Sequence, residues 1–377
     1  MNKGLLMSST LFTPLSIGSM ELSNRITVAA MCQYSATDGS MTNWHVQHLG
    51  NLSLSGASML MIEATGVTAQ GRISLGCTGL YSDENEAAMK RVVDFVRTIS
   101  PIRIGVQLAH AGRKASAERP WEGRGALTGE GAWETVAPSA IPLATGWPTP
   151  RALDRAGMDA VRNAFVSAAR RAMRIGLEIV ELHSTHGYLL SEFLSPLANK
   201  RTDEYGGNLE NRMRFPLEVA RAVRDVWPRS KAYGAKISGT DFADGGWTPD
   251  EAVAYARELK ALGCDYVTVS GGGVVLDAKV PVGPGYQVPY AERVRRESGI
   301  TTGSVGLISD PRQAEEIVAS GNADFVSLAR AMLFDPRWPW HAAVALGADI
   351  KYPPQYERCH PKAWPPARAW GQSSKAD

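Results

Sequence analysis

Two imidazoles and a phenol stand within six residues of one another in the segment Glu178 to Pro196, E-I-V-E-L-H-S-T-H-G-Y-L-L-S-E-F-L-S-P: His183, His186 and Tyr188. Imidazole N–H groups can hold a developing oxyanion, and a phenol, of ordinary pKa about 10, can deliver a proton as a general acid. Just before them, Ile179 to Leu182 is an apolar run of strand length. It follows a helix pattern in which Met158, Val161, Phe165, Ala168, Ala172 and Ile175 recur three and four residues apart. A strand that ends in several titratable side chains is what the active face of an α/β barrel presents.

The other elements must place that strand end. Buried-strand patterns are expected at Arg25 to Met31, Ser58 to Ala64, Ile102 to Leu108, Ala232 to Ser238, Asp265 to Val269, Ile300 to Val305 and Ala323 to Leu328. Helix patterns alternate with them. One runs from Trp44 to about Gly56, capped by Thr42 or Asn43, and one from Asp83 to about Ile99. A third starts at Thr248 or Asp250 with Ala252, Tyr255, Leu259 and Leu262 on one face, and a fourth covers Pro311 to Ser320. With the Ile179 strand the count is eight βα units, which argues for a single (β/α)8 TIM barrel of the α/β class rather than a doubly wound sheet. The expected organisation is one domain over residues 1–377, with the barrel at about 25–346 and a C-terminal tail at 347–377. Between Ala109 and Arg155 a Gly-, Pro- and Trp-rich segment breaks the alternation after the third strand, as a lid or binding loop would.

Composition narrows the partners. The 377 residues are 44% hydrophobic and 21% charged with a formal net charge of +2, which gives no electrostatic case for nucleic acid or an anionic membrane. Met1 to Thr13 lacks the apolar core of a signal peptide, and no apolar run approaches the roughly 20 residues of a membrane span, so a cytoplasmic protein is expected. Cys32, Cys77, Cys264 and Cys359 are scattered without C-x-x-C pairing, which fits a reducing compartment. Small molecules and copies of the same chain are the partners to expect.

If the barrel is right, the strand ends share one face. They are Met31-Cys32-Gln33-Tyr34, Ala64, Gln107, His183 to Tyr188, Lys236, Gly303-Ser304-Val305-Gly306 and Ala329-Arg330. Glycines after the seventh strand and an arginine after the eighth suit a phosphate, a frequent ligand of that barrel corner.

These motifs resemble the Old Yellow Enzyme family, in particular its thermophilic-like class of xenobiotic reductases and NADPH dehydrogenase ene-reductases. The resemblance spans nearly the whole chain, from L-F-T-P-L at Leu11 to P-P-Q-Y-E-R ending at Arg358. It is carried by N-R-I at Asn24, M-C-Q-Y-S at Met31, Q-L-A-H-A-G-R-K at Gln107, H-x-x-H-G-Y-L at His183, F-L-S-P-L-x-N-x-R-T-D-E-Y-G-G at Phe193 and P-G-Y-Q-V at Pro284. It implies a non-covalent FMN, reduced by NADPH or NADH, that passes hydride to the activated C=C of an α,β-unsaturated carbonyl, nitro or imide compound in a ping-pong cycle. Ala29, Ala30, Met31, Cys32, Ala64, Gln107 and Lys236 would meet the isoalloxazine; Gly303, Gly306, Ala329 and Arg330 would hold the phosphate. Tyr34, His183 and His186 would line the substrate pocket and Tyr188 would give the proton. Arg358 would reach the site of a neighbouring subunit in a homodimer or dimer of dimers; for the tail beyond it two readings stand, disorder or a cap on that pocket by Trp364 or Trp370.

Three positions depart from the family: Lys236 for arginine, Ala30 for proline, and Ser184-Thr185 for Ala-Ala between the histidines, which adds hydroxyls to the pocket rim or to a hidden network. No G-x-G-x-x-G follows a first strand, so a separate nicotinamide domain is not expected. H-x-x-H supplies two of the four ligands of a structural zinc and no third is evident, so no metal is expected. The plainer readings are core packing for the helix stripes, a small buried hydrophobe for Cys32 and satisfaction of backbone groups for Gln107. The alternatives are xenobiotic nitro reduction on the same barrel, and a non-catalytic flavin sensor in which Cys32 reports redox state.

Overall fold

Apolar runs bounded by polar turns become parallel strands when both faces of the sheet are covered. The computed structural model describes residues 9–123 and 125–369. Eight parallel strands are hydrogen-bonded each to the next and the last to the first: Ile26–Val28, Met59–Gly66, Arg103–Ala109, Ile179–Ser184, Ala232–Ser238, Tyr266–Ser270, Thr301–Ser304 and Phe325–Leu328. With helices between them they form a closed (β/α)8 barrel. The helix stripe expected before the fourth strand lies on Arg155–Ile175, and all six of its residues are buried against the sheet.

Local signals set the boundaries. Thr42 caps the helix Asn43–Ser53, its backbone N–H donating to Nδ1 of His45 at 3.0 Å. Thr248, not Asp250, caps Pro249–Ala261, with Glu251 closing the reciprocal box on the Thr248 backbone at 2.9 Å. The first strand is shorter than its apolar run. Ala29 still donates to Leu328 O, but Ala30 and Met31 have left the ladder, which frees that stretch to form cavity wall.

The barrel interior is filled in layers. At the lower end an N-terminal hairpin, Leu15–Ile17 with Met20–Leu22, sends Ile17, Met20 and Leu22 against Met59, Met61, Ile179, Tyr266 and Phe325. Two interior positions are glycine because an aromatic takes their space: a Cβ on Gly234 would lie 2.1 Å from the Tyr266 ring, and one on Gly303 2.2 Å from the Phe325 ring. Gly303 therefore serves packing here. Above these rings the interior turns polar at Glu181, Gln107 and Thr268, all buried.

The segment after the third strand is anchored at both ends. Val136–Ala137 pairs with Arg151–Ala152, and the Arg201 guanidinium donates to Pro138 O and Leu153 O. Beyond the helix Trp338–Leu346 the chain packs back as a Trp340–Tyr352 stack, centroids 4.0 Å apart, and two short 3-10 turns, Pro354–Cys359 and Pro365–Ala369. Trp364 is partly exposed; Trp370 and the last residues of the expected tail, like residues 1–8, lie outside the described residues. Among the described residues no helix is long and apolar enough to cross a membrane.

Candidate active site

The fourth strand ends at Ser184, and the chain reverses at once into the helix Leu189–Leu194. The reversal needs two left-handed residues, His186 at φ 61° and Gly187 at φ 72°. For a residue with a side chain that conformation costs roughly 1–2 kcal/mol, and a Cβ at Gly187 would lie 2.1 Å from Gly273 O. Lys114 holds the turn, its ammonium donating to His186 O at 2.8 Å and to Gly273 O at 2.9 Å. Tyr34, on the loop after the first strand, is also left-handed, at φ 51°, and meets the Trp121 ring of the lid edge-on at 5.9 Å. Strain of this kind tends to collect at functional sites.

The turn brings the three chemical side chains together. His183 Nε2 and His186 Nδ1 are 3.3 Å apart, and His186 Nε2 is 2.8 Å from Ser270 Oγ. The Tyr188 ring packs against His183 with centroids 4.7 Å apart, and the Lys114 ammonium lies 5.2 Å from the Tyr188 centroid. Burial, then the charges of Lys236 and Lys114, hold His183 well below the ordinary histidine range. Burial, then His183 and the same two lysines, do so for His186. Both rings are therefore neutral near pH 7, so each carries one N–H to donate and one bare nitrogen. Burial pushes the Tyr188 phenol well above 10, so it keeps its proton across the working pH range. Burial also lowers Lys114 to about 8, against the pull of Glu192.

A cavity of about 560 Å³ opens beside this group. Ala29, Ala30, His186, Lys236 and Ser270 line it together with Gly306, Ser327, Ala329 and Arg330. Lys236 is buried and, like Arg330, has no hydrogen-bond or ion-pair partner among the described residues, so two cations, one on the fifth strand and one just after the eighth, face the space without a directly paired carboxylate. A flat polar ring system carrying a phosphate suits such a cavity: Lys236 could answer its ring carbonyl, Arg330 its phosphate, and Ala29 and Ala30 leave room for its face.

The other expected site residues are distributed around this space. Met31 lines a small neighbouring pocket with Gln33, His45 and Glu63. Cys32 sits beside Cys77, whose thiol pushes it up before burial adds to the shift. Ala64 is buried at a register shift of the second strand. Gln107 is buried and donates to Glu181 at 2.6 Å. Gly303 does not line the cavity, and Arg358, exposed on the Pro354–Cys359 turn, is not among its lining residues. The hydroxyls between the histidines turn inward: Ser184 Oγ meets Tyr255 OH at 3.1 Å and Thr185 Oγ1 meets Ser238 Oγ at 2.9 Å, both fully buried, so they join the hidden network.

Three residues enter that the strand-end reading leaves without a role. Lys114 closes the motif Q-L-A-H-A-G-R-K, Ser270 ends the sixth strand, and Glu181 lies two residues before His183. The first two were open to the same strand-end logic. Glu181 was hidden because its partners lie 74 to 87 residues away. Among the described residues no three His, Cys, Asp or Glu side chains are grouped to hold a metal.

Comparison with known proteins agrees in its coarse features. The family model described as NADH:flavin oxidoreductase / NADH oxidase matches residues 10–347. An NADPH dehydrogenase of Geobacillus sp. (strain WCH70) is 43% identical over 354 residues, 93% of this chain and 99% of that protein. A structure of morphinone reductase in complex with tetrahydroNAD is 27% identical with a TM-score of 0.74, over 92% of this chain and 93% of that one. A 2-naphthoyl-CoA reductase complex superposes with a TM-score of 0.81 at 24% identity, which is a likeness of fold; this chain covers 92% of itself but 54% of that larger protein. With the barrel, the cavity and a match over nine-tenths of its length, the chain belongs to the NADH:flavin oxidoreductase / NADH oxidase family, the Old Yellow Enzymes.

Proposed function

We propose that this flavin-dependent oxidoreductase is an ene-reductase, which takes electrons from NADPH or NADH and reduces C=C bonds conjugated to a carbonyl, nitro or imide group. Its family membership makes FMN the cofactor and a reduced nicotinamide the electron donor. The observation that carries the finer reading is the pair of neutral imidazoles 3.3 Å apart with a protonated, buried phenol packed on one of them.

Bound FMN would supply the hydride, seated by Ala29, Ala30, Met31, Cys32, Ala64, Gln107 and Lys236 at its ring and by Gly306, Ala329 and Arg330 at its phosphate. The chain does the rest. When hydride reaches the β-carbon, negative charge grows on the substrate's carbonyl or nitro oxygen. An oxygen placed between His183 Nε2 and His186 Nδ1 accepts both N–H bonds, whereas without a ligand one ring must donate to the other. The tautomer that aims Nδ1–H of His186 at the substrate leaves its Nε2 to accept from the Ser270 hydroxyl at 2.8 Å. Because both rings are neutral they polarise the oxygen without protonating it, and Tyr188 O–H then delivers the proton to the α-carbon. Nicotinamide and alkene use this one pocket in turn, so the cycle is ping-pong. Tyr34, with the Trp121 ring edge-on against it, would bound the substrate's side of the pocket.

The exposed Arg358, on a turn fixed by the Trp340–Tyr352 stack, suits a contact made across a subunit boundary, and we place the protein as a cytoplasmic homo-oligomer; a monomer in size-exclusion light scattering contradicts the pairing. Arg330→Leu should weaken FMN binding by about 10- to 100-fold, the worth of one charge-assisted hydrogen bond. In fluorescence titrations that difference should shrink as salt is raised. The function itself is tested by NADPH consumption that depends on 2-cyclohexenone or N-ethylmaleimide. A redox sensor, the competing reading, gives no such turnover.

A further inference from the structure

Beneath the cavity floor a single carboxylate gathers three donors. Glu181 Oε1 accepts from Gln107 Nε2 at 2.6 Å, and its Oε2 accepts from Tyr266 OH and Thr268 Oγ1, both at 3.2 Å. The donors come from the third and sixth strands, so the group sits on the barrel axis, above the Tyr266–Phe325 aromatic layer. All four side chains are buried. Burial pushes the Glu181 carboxyl above the usual carboxylate range, while the Lys236 charge and the three donors pull it back; an ionised carboxylate only accepts, so donors aimed at both oxygens favour that form over a protonated acid that would need an acceptor for its own hydrogen.

Two consequences reach the cavity. Gln107, buried below the lining residues, must give an N–H to Glu181, so its amide cannot reverse and its carbonyl oxygen is the end left free. The second concerns Lys236, on the neighbouring fifth strand. Its ammonium has no hydrogen-bond partner among the described residues and faces the cavity, and burial lowers its proton affinity while Glu181 raises it. In the low-dielectric barrel interior, little solvent screens the two charges from each other or from a ligand above them.

We propose that Glu181 is a positioning residue for the flavin: it locks the Gln107 amide with its oxygen toward the cavity and offsets the Lys236 charge, so that the bound flavin's reduction potential lies lower than Lys236 alone would set it. The offset matters because two-electron reduction adds negative charge to the ring system, which a cation favours and a carboxylate disfavours. A flavin held too high in potential gains electrons readily and gives them up poorly. The inference rests on FMN in this cavity and not on alkene reduction, so it stands or falls without any alkene in the experiment.

The test is the midpoint potential of bound FMN, by anaerobic dye-linked titration, together with FMN affinity by fluorescence. Glu181→Gln should shift the potential positive and Lys236→Met should shift it negative, with the double variant between them. Glu181→Gln should also weaken FMN binding by roughly tenfold, because a neutral amide no longer dictates which way Gln107 faces. If Glu181→Gln fails to fold, the comparison of Lys236→Met with the double variant, in which no unpaired cation remains, reads the same field. An unchanged or more negative potential on removing the carboxylate, in either background, overturns the proposal. A purely structural role would change stability or affinity and leave the potential where it is.

Discussion

Tyr188→Phe should slow alkene reduction by about 10²- to 10⁴-fold, the usual range for loss of a general acid, while reduction of the flavin by NADPH proceeds at the wild-type rate. The substitution is conservative for structure. Tyr188 stands at the N-terminus of the Leu189–Leu194 helix, and what its ring touches, the His183 ring at 4.7 Å and the Lys114 ammonium at 5.2 Å, a phenylalanine ring touches as well. Only the O–H is lost. Because burial holds that phenol well above 10, the wild-type alkene step should stay flat with pH through neutrality and fall only when the proton finally leaves in strong alkali. Stopped-flow separation of the two half-reactions checks both statements. Equal rates of the alkene step in the two proteins would remove Tyr188 from its role.

His183→Ala should weaken binding of simple phenols, whose phenolate oxygen mimics the developing oxyanion, by roughly 10- to 100-fold, as expected for one lost hydrogen bond to a charged acceptor. The alkene step should fall by about 10²-fold, the scale found for one oxyanion donor. Alanine also leaves a hole beside Tyr188, so the informative partner is His183→Asn, which restores an N–H near the lost Nε2. Partial recovery in Asn and none in Ala identifies the donor. Equal losses in both assign the residue to packing against Tyr188. The Phe, Ala and Asn variants all retain Lys236 and Arg330, so FMN binding should be close to wild type in each.

What could be read from the chain, and what could not, divides along physical lines. Apolar runs and helical periodicity depend on neighbours in sequence, so the eight strands and the buried face of Arg155–Ile175 were legible. The strand-end rule gathers His183, His186, Tyr188, Lys236 and Arg330 onto one face from the sequence alone. Contacts set by barrel closure were not legible. Gly303 looks like a phosphate-loop glycine until the register of the seventh and eighth strands places Phe325 against it. Ser184 and Thr185 suit the pocket rim and a hidden network equally until the fifth strand and the helix Pro249–Ala261 supply Ser238 and Tyr255 as partners. The plugging hairpin at Leu15–Leu22 is too short to show a period. Lys114 is an intermediate case: its motif is conspicuous, but only the turn at His186 shows that it braces the His186 and Gly273 carbonyls and faces the phenol.

The central claim is that the cavity passes hydride to an activated alkene and that the His183, His186 and Tyr188 wall completes the reduction. The most direct measurement reduces the purified flavoprotein under strict exclusion of oxygen, removes the reductant, and mixes it with 2-cyclohexenone while the flavin absorbance is followed. The account predicts full return of oxidised flavin in a single saturable phase, one cyclohexanone formed per flavin, and a slow trace in Tyr188→Phe. A flavin that stays reduced in the presence of enone, maleimide and nitroalkene alike, yet reoxidises when air is admitted, would contradict it.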